Sequence, residues 1–259
     1  MKTILAVLLL PTLIFAQEAE IKMLISPKKL EVAKKTLKIK AAEKPELRVC
    51  FFDTAGAELD AKKLILRVRL EEKANKAGEK DVDAVVKLRG TDKAPEGFKE
   101  MKPEADWVGP DVAKDVKPSF SIKEKELNEK MMRKVLAGEA NVKTLLSDEQ
   151  KKFAASSLKL AEEAFPWGKL RRYGVIEVWK SKRDVGTLED VTVELWRLVM
   201  EGKEPLELLE ISIKTKEGDP RPVADLAAEF YAAAEKAGFG KATGESKTQK
   251  VIEYYRPGK

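Results

Sequence analysis

The stretch Leu64-Ile65-Leu66-Arg67-Val68-Arg69-Leu70 alternates apolar and basic side chains, and Val86-Lys87-Leu88-Arg89 repeats the pattern. A period of two places each set on one face of a strand. Three further segments behave alike. Glu18, Glu20 and Lys22 alternate with Ala19, Ile21 and Met23, Lys123 and Lys125 point away from Ile122, and Glu210, Ser212 and Lys214 alternate with Leu209, Ile211 and Ile213. One such strand is ordinary in an antiparallel sheet with one face in water. The five together say more, because a solvated face uses Ser, Thr, Asn and Gln freely. Here Arg and Lys gather on three strands and carboxylates on the other two, a division suited to phosphate and a metal ion.

The 259 residues, 43% of them hydrophobic, can bury a sizeable core in one large domain or two small ones. With 50 Lys and Arg against 44 Asp and Glu, a net charge of +6 and a pI near 9.1, anionic partners are favoured. Nucleic acid is not among those expected, since basic and acidic residues are interleaved and no zinc-finger, helix-turn-helix or RNA-recognition signature occurs. The absence of histidine excludes Ser-His-Asp and Cys-His catalysis and His-ligated zinc. The lone Cys50 cannot form an internal disulfide and reads as a small buried hydrophobe.

Residues 1–16 read as a secretory signal, with Lys2 before the apolar run Ile4 to Phe15 and Ala16 as the small residue before cleavage. Export to a periplasmic or extracellular location is expected. No stable membrane insertion is expected after signal removal, because no other segment approaches the ~18 apolar residues of a spanning helix.

Strand patterns occupy about residues 18–25, 46–53, 63–71, 82–89, 119–125, 170–180, 191–199 and 206–216, and helical patterns 27–39, 125–136, 147–164 and 222–237. Ser147 and Gln150 have the spacing of a capping box. Region 91–118, with Pro95, Gly97, Pro103, Gly109, Pro110 and Pro118, reads as a long surface connection or a domain boundary. Beyond Gly240 the chain reads as a tail in which Val251 to Tyr255 adds at most an edge strand. The resulting organisation is a signal at 1–16, one domain over 17–240 with a loop at 91–118 and a helical insertion at 125–164, and a tail at 241–259. Inward charge on some eight strands with helices between them predicts an α+β fold, an antiparallel β-barrel with helices packed outside.

Glu18-Ala19-Glu20-Ile21-Lys22 resembles the Glu-x-Glu-x-Lys opening strand of the CYTH superfamily, the triphosphate tunnel metalloenzymes. The similarity continues through Phe51-Phe52-Asp53-Thr54 with Leu59, then Leu64 to Arg69, then Val85 to Arg89. It is best over residues 18–90 and looser over 170–238. The resemblance implies an eight-stranded tunnel in which Lys and Arg hold a triphosphate while Glu side chains hold Mg2+ or Mn2+. Carried onto this chain, it implies Glu18, Glu20 and Lys22 as catalytic residues. Arg67, Arg69, Lys87, Arg89, Lys123, Lys125, Arg172 (or its neighbour Arg171) and Lys180 would bind substrate, and Glu18, Glu20, Glu194 and Glu210 the metal.

The chemistry of the residues agrees, since Arg presents a planar fork to phosphate, Lys a point charge, and hard divalent ions take oxygen ligands. One departure is Glu210-Ile211-Ser212, where the family pattern has a second Glu. The expected function is metal-dependent hydrolysis of a triphosphate or polyphosphate, with a phosphorylated small molecule as partner. Scarcity of ATP outside the cytoplasm argues against adenylate cyclisation. The alternatives are a non-catalytic polyanion-binding protein with a degenerate metal site and an envelope scaffold whose charges pair internally.

Overall fold

The computed structural model describes residues 19–39, 44–72, 80–215 and 222–256. The proposed signal segment and Glu18 lie outside these residues. The strands are β1 Ala19–Leu24, β2 Leu47–Thr54, β3 Leu64–Glu71, β4 Val82–Arg89, β5 Glu104–Trp107, β6 Val116–Glu124, β7 Leu170–Val185, β8 Leu188–Met200 and β9 Lys203–Lys214. The helices are α1 Leu30–Thr36, α2 Glu58–Ala61, α3 Val112–Asp115, α4 Glu129–Ala137, α5 Asp148–Ser157, α6 Val223–Lys236 and α7 Lys247–Tyr255.

The strands close into a barrel in the order β1-β5-β6-β4-β3-β2-β7-β8-β9, with β9 returning to β1. Every pairing is antiparallel except β1 with β5, which is parallel. The predicted barrel with external helices is therefore present, with nine strands rather than eight. The additional strand, β5, lies inside the region read as a loop. It has only four residues, yet Glu104-Ala105-Asp106-Trp107 fills the gap between β1 and β6.

Period two sorts the side chains as the sequence suggests. Leu64, Leu66, Val68 and Leu70 of β3 point outward and are buried with Met132 and Val135 of α4 and Phe153 and Ala154 of α5. Each such burial is worth about 1.5–3 kcal/mol for the larger side chains. The opposite side of the barrel buries Ile21, Met23, Leu209 and Ile211 against Ala33 of α1 and Leu226 and Phe230 of α6. Arg67 and Arg69 are left on the inner face.

Two buried polar groups fix the registers that matter for the interior. Asp53 accepts backbone N–H bonds from Thr54, Leu59 and Asp60 at 2.6, 2.9 and 2.8 Å, which ties the turn between β2 and β3 around α2. Gln150 completes the capping box with Ser147, and its amide donates to Ala84 and Ile122 carbonyls at 2.8 and 3.0 Å, pinning α5 to β4 and β6.

The segment read as a tail contains α7, whose Val251 and Ile252 are buried against Leu24, Val49, Phe51, Leu198 and Leu208. Its aromatic and β-branched run favours a strand on local preference alone. A helix forms instead because a capping side chain stands at the right place. Ser246 accepts from the Gln249 N–H, and Thr248, Val251 and Ile252 then share one buried face.

Candidate active site: a divided tunnel

The barrel interior has an apolar end, covered by α7, and a charged remainder. Two adjoining cavities of about 790 and 610 Å³ share Glu20, Lys22, Arg67, Arg69, Arg89 and Glu194 in their walls. Lys87, Lys123, Lys180 and Lys214 line the first cavity, and Glu210 and Lys247 the second.

At the centre lies Asp106, which is 4% exposed. Its carboxylate meets Lys22 Nζ at 2.8 Å, Lys87 Nζ at 3.0 Å and Arg89 Nε at 3.5 Å. Burial alone would raise its pKa, but Lys22, Lys87 and Arg89 overcome that and hold the carboxyl far below the usual range. Lys22 reaches Glu20 as well, at 2.9 Å. Burial disfavours its ammonium, yet Asp106 and Glu20 reverse this and raise its pKa above that of an ordinary lysine. Burial likewise works against the Glu20 carboxylate, and Lys22 and Lys214 together outweigh it and lower the pKa.

The guanidinium groups are different. Among the described residues, the ion-pair contact of Arg67 is with Asp83, at 4.0 Å, and Glu194 acts on it from farther off. The Arg67 pKa falls to about 10, first through burial and then through repulsion from Arg69. Among the described residues, the buried Nε–H groups of Arg67, Arg69 and Arg89 have no hydrogen-bond partner, the Asp106 oxygen near Arg89 being an ion-pair contact only. Buried polar groups are rarely left so, and an unsatisfied charged donor is costly. Three convergent cationic donors without acceptors describe an anion site.

Lys123 lies at one end of the tunnel, 3.0 Å from Asp83. Lys180 lines the same cavity. Lys125 follows the last residue of β6 and is exposed, outside both cavities, because the strand ends one residue before it. Arg172 is also outside. A register shift between Val49 and Phe51 turns Tyr173 inward and Arg172 outward, where its Nη1 donates to the Leu136 carbonyl at the end of α4.

Glu194 and Glu210 are cross-strand partners and face one another. Lys247 Nζ sits between them, 2.5 Å from Glu194 Oε2 and 2.8 Å from Glu210 Oε1. Glu194 is held ionised, its burial outweighed by Lys247 and Arg69. Ser212 is buried opposite Lys22. Glu20 is turned to Lys22, Glu194 and Glu210 are closed by Lys247, and among the described residues no three acidic or thiol groups come together as metal ligands.

Sequence reasoning missed Asp106 as an anchor and Lys247 entirely. The alternation Glu104-x-Asp106 was visible, as was Ser246 three residues before Gln249.

The CYTH domain family profile matches residues 16–248. The chain therefore belongs to the CYTH domain family, and its barrel is the tunnel of that family. Among solved structures it is similar to an adenylyl cyclase-like protein of Hippeastrum described as having a dominant triphosphatase activity, at TM-score 0.53 and 18% identity, covering 91% of this chain and 95% of that one. A Bacillus halodurans protein described as an adenylate cyclase candidate aligns at TM-score 0.53 and 15% identity, covering 91% of this chain and 98% of that one. At these identities the likeness concerns the fold. Comparison with curated proteins gives no match.

Proposed function

We propose that this tunnel binds a triphosphate or short inorganic polyphosphate lengthwise, through Arg67, Arg69, Arg89, Lys87, Lys123 and Lys180. The observation that carries the reading is the set of buried, unpartnered Nε–H donors on Arg67, Arg69 and Arg89 in one cavity wall. A linear polyanion supplies many acceptor oxygens along an axis, which is what cations spaced on adjacent strands can use. Asp106 holds Lys22 and Lys87 in place, so that part of the wall is preorganised before ligand arrives.

The family resemblance implies magnesium or manganese held by Glu18, Glu20, Glu194 and Glu210. Among the described residues Glu20 is engaged by Lys22, and Glu194 and Glu210 by Lys247. These side chains support phosphate binding, and phosphate release in solution would add hydrolysis. The secretory signal read at 1–16 extends the proposal to an exported protein, which sequencing the N-terminus of the protein recovered from outside the cytoplasm would test.

The test is calorimetric titration with tripolyphosphate, with free phosphate followed in parallel, with and without Mg2+. Binding that is lost in Arg67→Ala and Arg69→Ala supports the proposal. No heat and no thermal stabilisation at millimolar ligand would refute it and favour the internally paired scaffold. Phosphate release that disappears in Glu20→Ala would add catalysis to binding.

A further inference from the structure

The first turn of α7 enters the barrel and delivers one ammonium to the place where two carboxylates converge. Lys247 Nζ lies 2.5 Å from Glu194 and 2.8 Å from Glu210, and 4.0 Å from the centroid of the Trp196 ring. The lysine side chain is 11% exposed and each carboxylate side chain 13%. Glu194 Oε2 also accepts from Trp196 Nε1 at 3.0 Å. An oxygen that already accepts from an ammonium and an indole has little left to offer a metal.

Opposed carboxylates on neighbouring strands would otherwise invite a hard divalent ion, since each can give an oxygen and together they neutralise its charge. Left alone in this setting they would repel one another, and one would have to protonate. The lysine resolves both problems from within the chain. Its position is fixed from two sides: Arg89 donates to Thr248 at 3.2 Å, and Lys203 donates to the Tyr254 carbonyl at 2.8 Å. Ser212, at the position where a further carboxylate would be needed, supplies only a hydroxyl.

We propose that Lys247 is a built-in counter-cation that takes the place of a divalent metal between Glu194 and Glu210, so that the tunnel captures its polyanion without a metal at this carboxylate pair. The second clause rests on the phosphate reading given above, whereas the first does not. The expectation of Glu194 and Glu210 as metal ligands is thereby replaced by a protein-supplied charge.

The experiment is a titration of the phosphate-free protein with Mn2+, free ion being followed by electron paramagnetic resonance. Wild type, Glu194→Gln, Lys247→Ala and the volume-keeping Lys247→Met are compared, each checked by thermal melting. Wild type is expected to take up no Mn2+ that Glu194→Gln removes. Lys247→Ala or Lys247→Met is expected to gain one Mn2+ per chain, lost again when Glu194→Gln is added. Mn2+ uptake by wild type that Glu194→Gln abolishes overturns the proposal, as does a folded lysine variant with no gain. If neither lysine variant folds, the wild-type and Glu194→Gln titrations alone decide it.

Tripolyphosphate titration in excess EDTA addresses the second clause. Binding in EDTA supports it, and binding only with Mg2+ overturns it while leaving the phosphate reading intact. Absence of binding under both conditions refutes the phosphate reading, and with it the second clause, while the Mn2+ titration still decides the role of Lys247.

Discussion

Asp106 and Lys22 meet at 2.8 Å across the parallel pairing of β5 and β1. The bond joins a four-residue strand to the opening strand, and Lys87 and Arg89 reach the same carboxylate from β4. One buried anion thus organises cations from two other strands. Removing it by Asp106→Ala leaves three cations facing one another in a low-dielectric interior. A loss of about 3–5 kcal/mol is expected from urea unfolding. Binding of tripolyphosphate by whatever folds should partly restore the midpoint, because ligand oxygens replace the carboxylate.

The same cluster sets the pH response. Asp106, Glu20 and Glu194 are held below their ordinary carboxylate values in the folded state, so their stabilisation is complete above the unfolded values and is lost as pH falls through and below them. Lys22 is raised, so its contribution persists through neutral pH and disappears only in strong base. Thermal midpoints are expected to be flat from about pH 5.5 to neutrality and to drop steeply below about pH 4. A midpoint that instead rose on acidification would contradict the ion-pair assignment.

Arg67 should show opposite effects on stability and on binding. Its Nε–H is buried beside Arg69 and, among the described residues, has no hydrogen-bond partner, while the Asp83 carboxylate lies 4.0 Å from the guanidinium. Arg67→Met is expected to raise the unliganded thermal midpoint while weakening tripolyphosphate by roughly 1.5–3 kcal/mol, about 10- to 100-fold. Differential scanning calorimetry with and without ligand reads both signs in one experiment. A substitution that lowered both would identify Arg67 as a structural residue.

Gln150 gives a test that leaves the tunnel walls untouched. Its buried amide bonds two strand carbonyls and its backbone N–H is capped by Ser147. Gln150→Leu removes the donors and leaves both carbonyls short of a partner, for an expected cost of about 2–4 kcal/mol in urea unfolding. A cost below about 0.5 kcal/mol would show that water or neighbouring donors compensate.

Cys50 is fully buried, and burial, ahead of any effect of nearby Arg172, pushes its thiol up to about 12. It should resist thiol reagents at about pH 8 in the native protein and react only as the barrel opens. Fast labelling under native conditions would mean that β2 separates from its neighbours.

Much of this molecule was legible because strand alternation is a local property. Arg67, Arg69, Lys87, Arg89 and Lys123 reach the interior on strands of eight or nine residues that carry the pattern openly. Most of the failures are non-local. The ninth strand, β5, is too short to announce itself and exists because β1 and β6 flank it. Arg172 faces outward because a bulge in β7, marked in the sequence by Gly174 with its φ of 91°, shifts the β2–β7 register and reverses which side chains face inward. Lys247 was missed since nothing near it in the chain reveals two carboxylates on β8 and β9. Nor does the sequence near Glu194 or Glu210 reveal that Lys247 lies between them.

The seam that closes the barrel also governs when a tunnel exists at all. The Ala19 N–H donates to Thr215 Oγ1 across 196 positions of chain, beside the β1–β9 pairing. Contacts so distant form late in folding, since the intervening loop must be closed first. A chain in which β9 has not met β1 therefore offers phosphate only separate basic strands, and the enclosed route exists only once that pairing is made. An anion gripped by strands on both sides of that seam binds the closed state alone and would hold it closed.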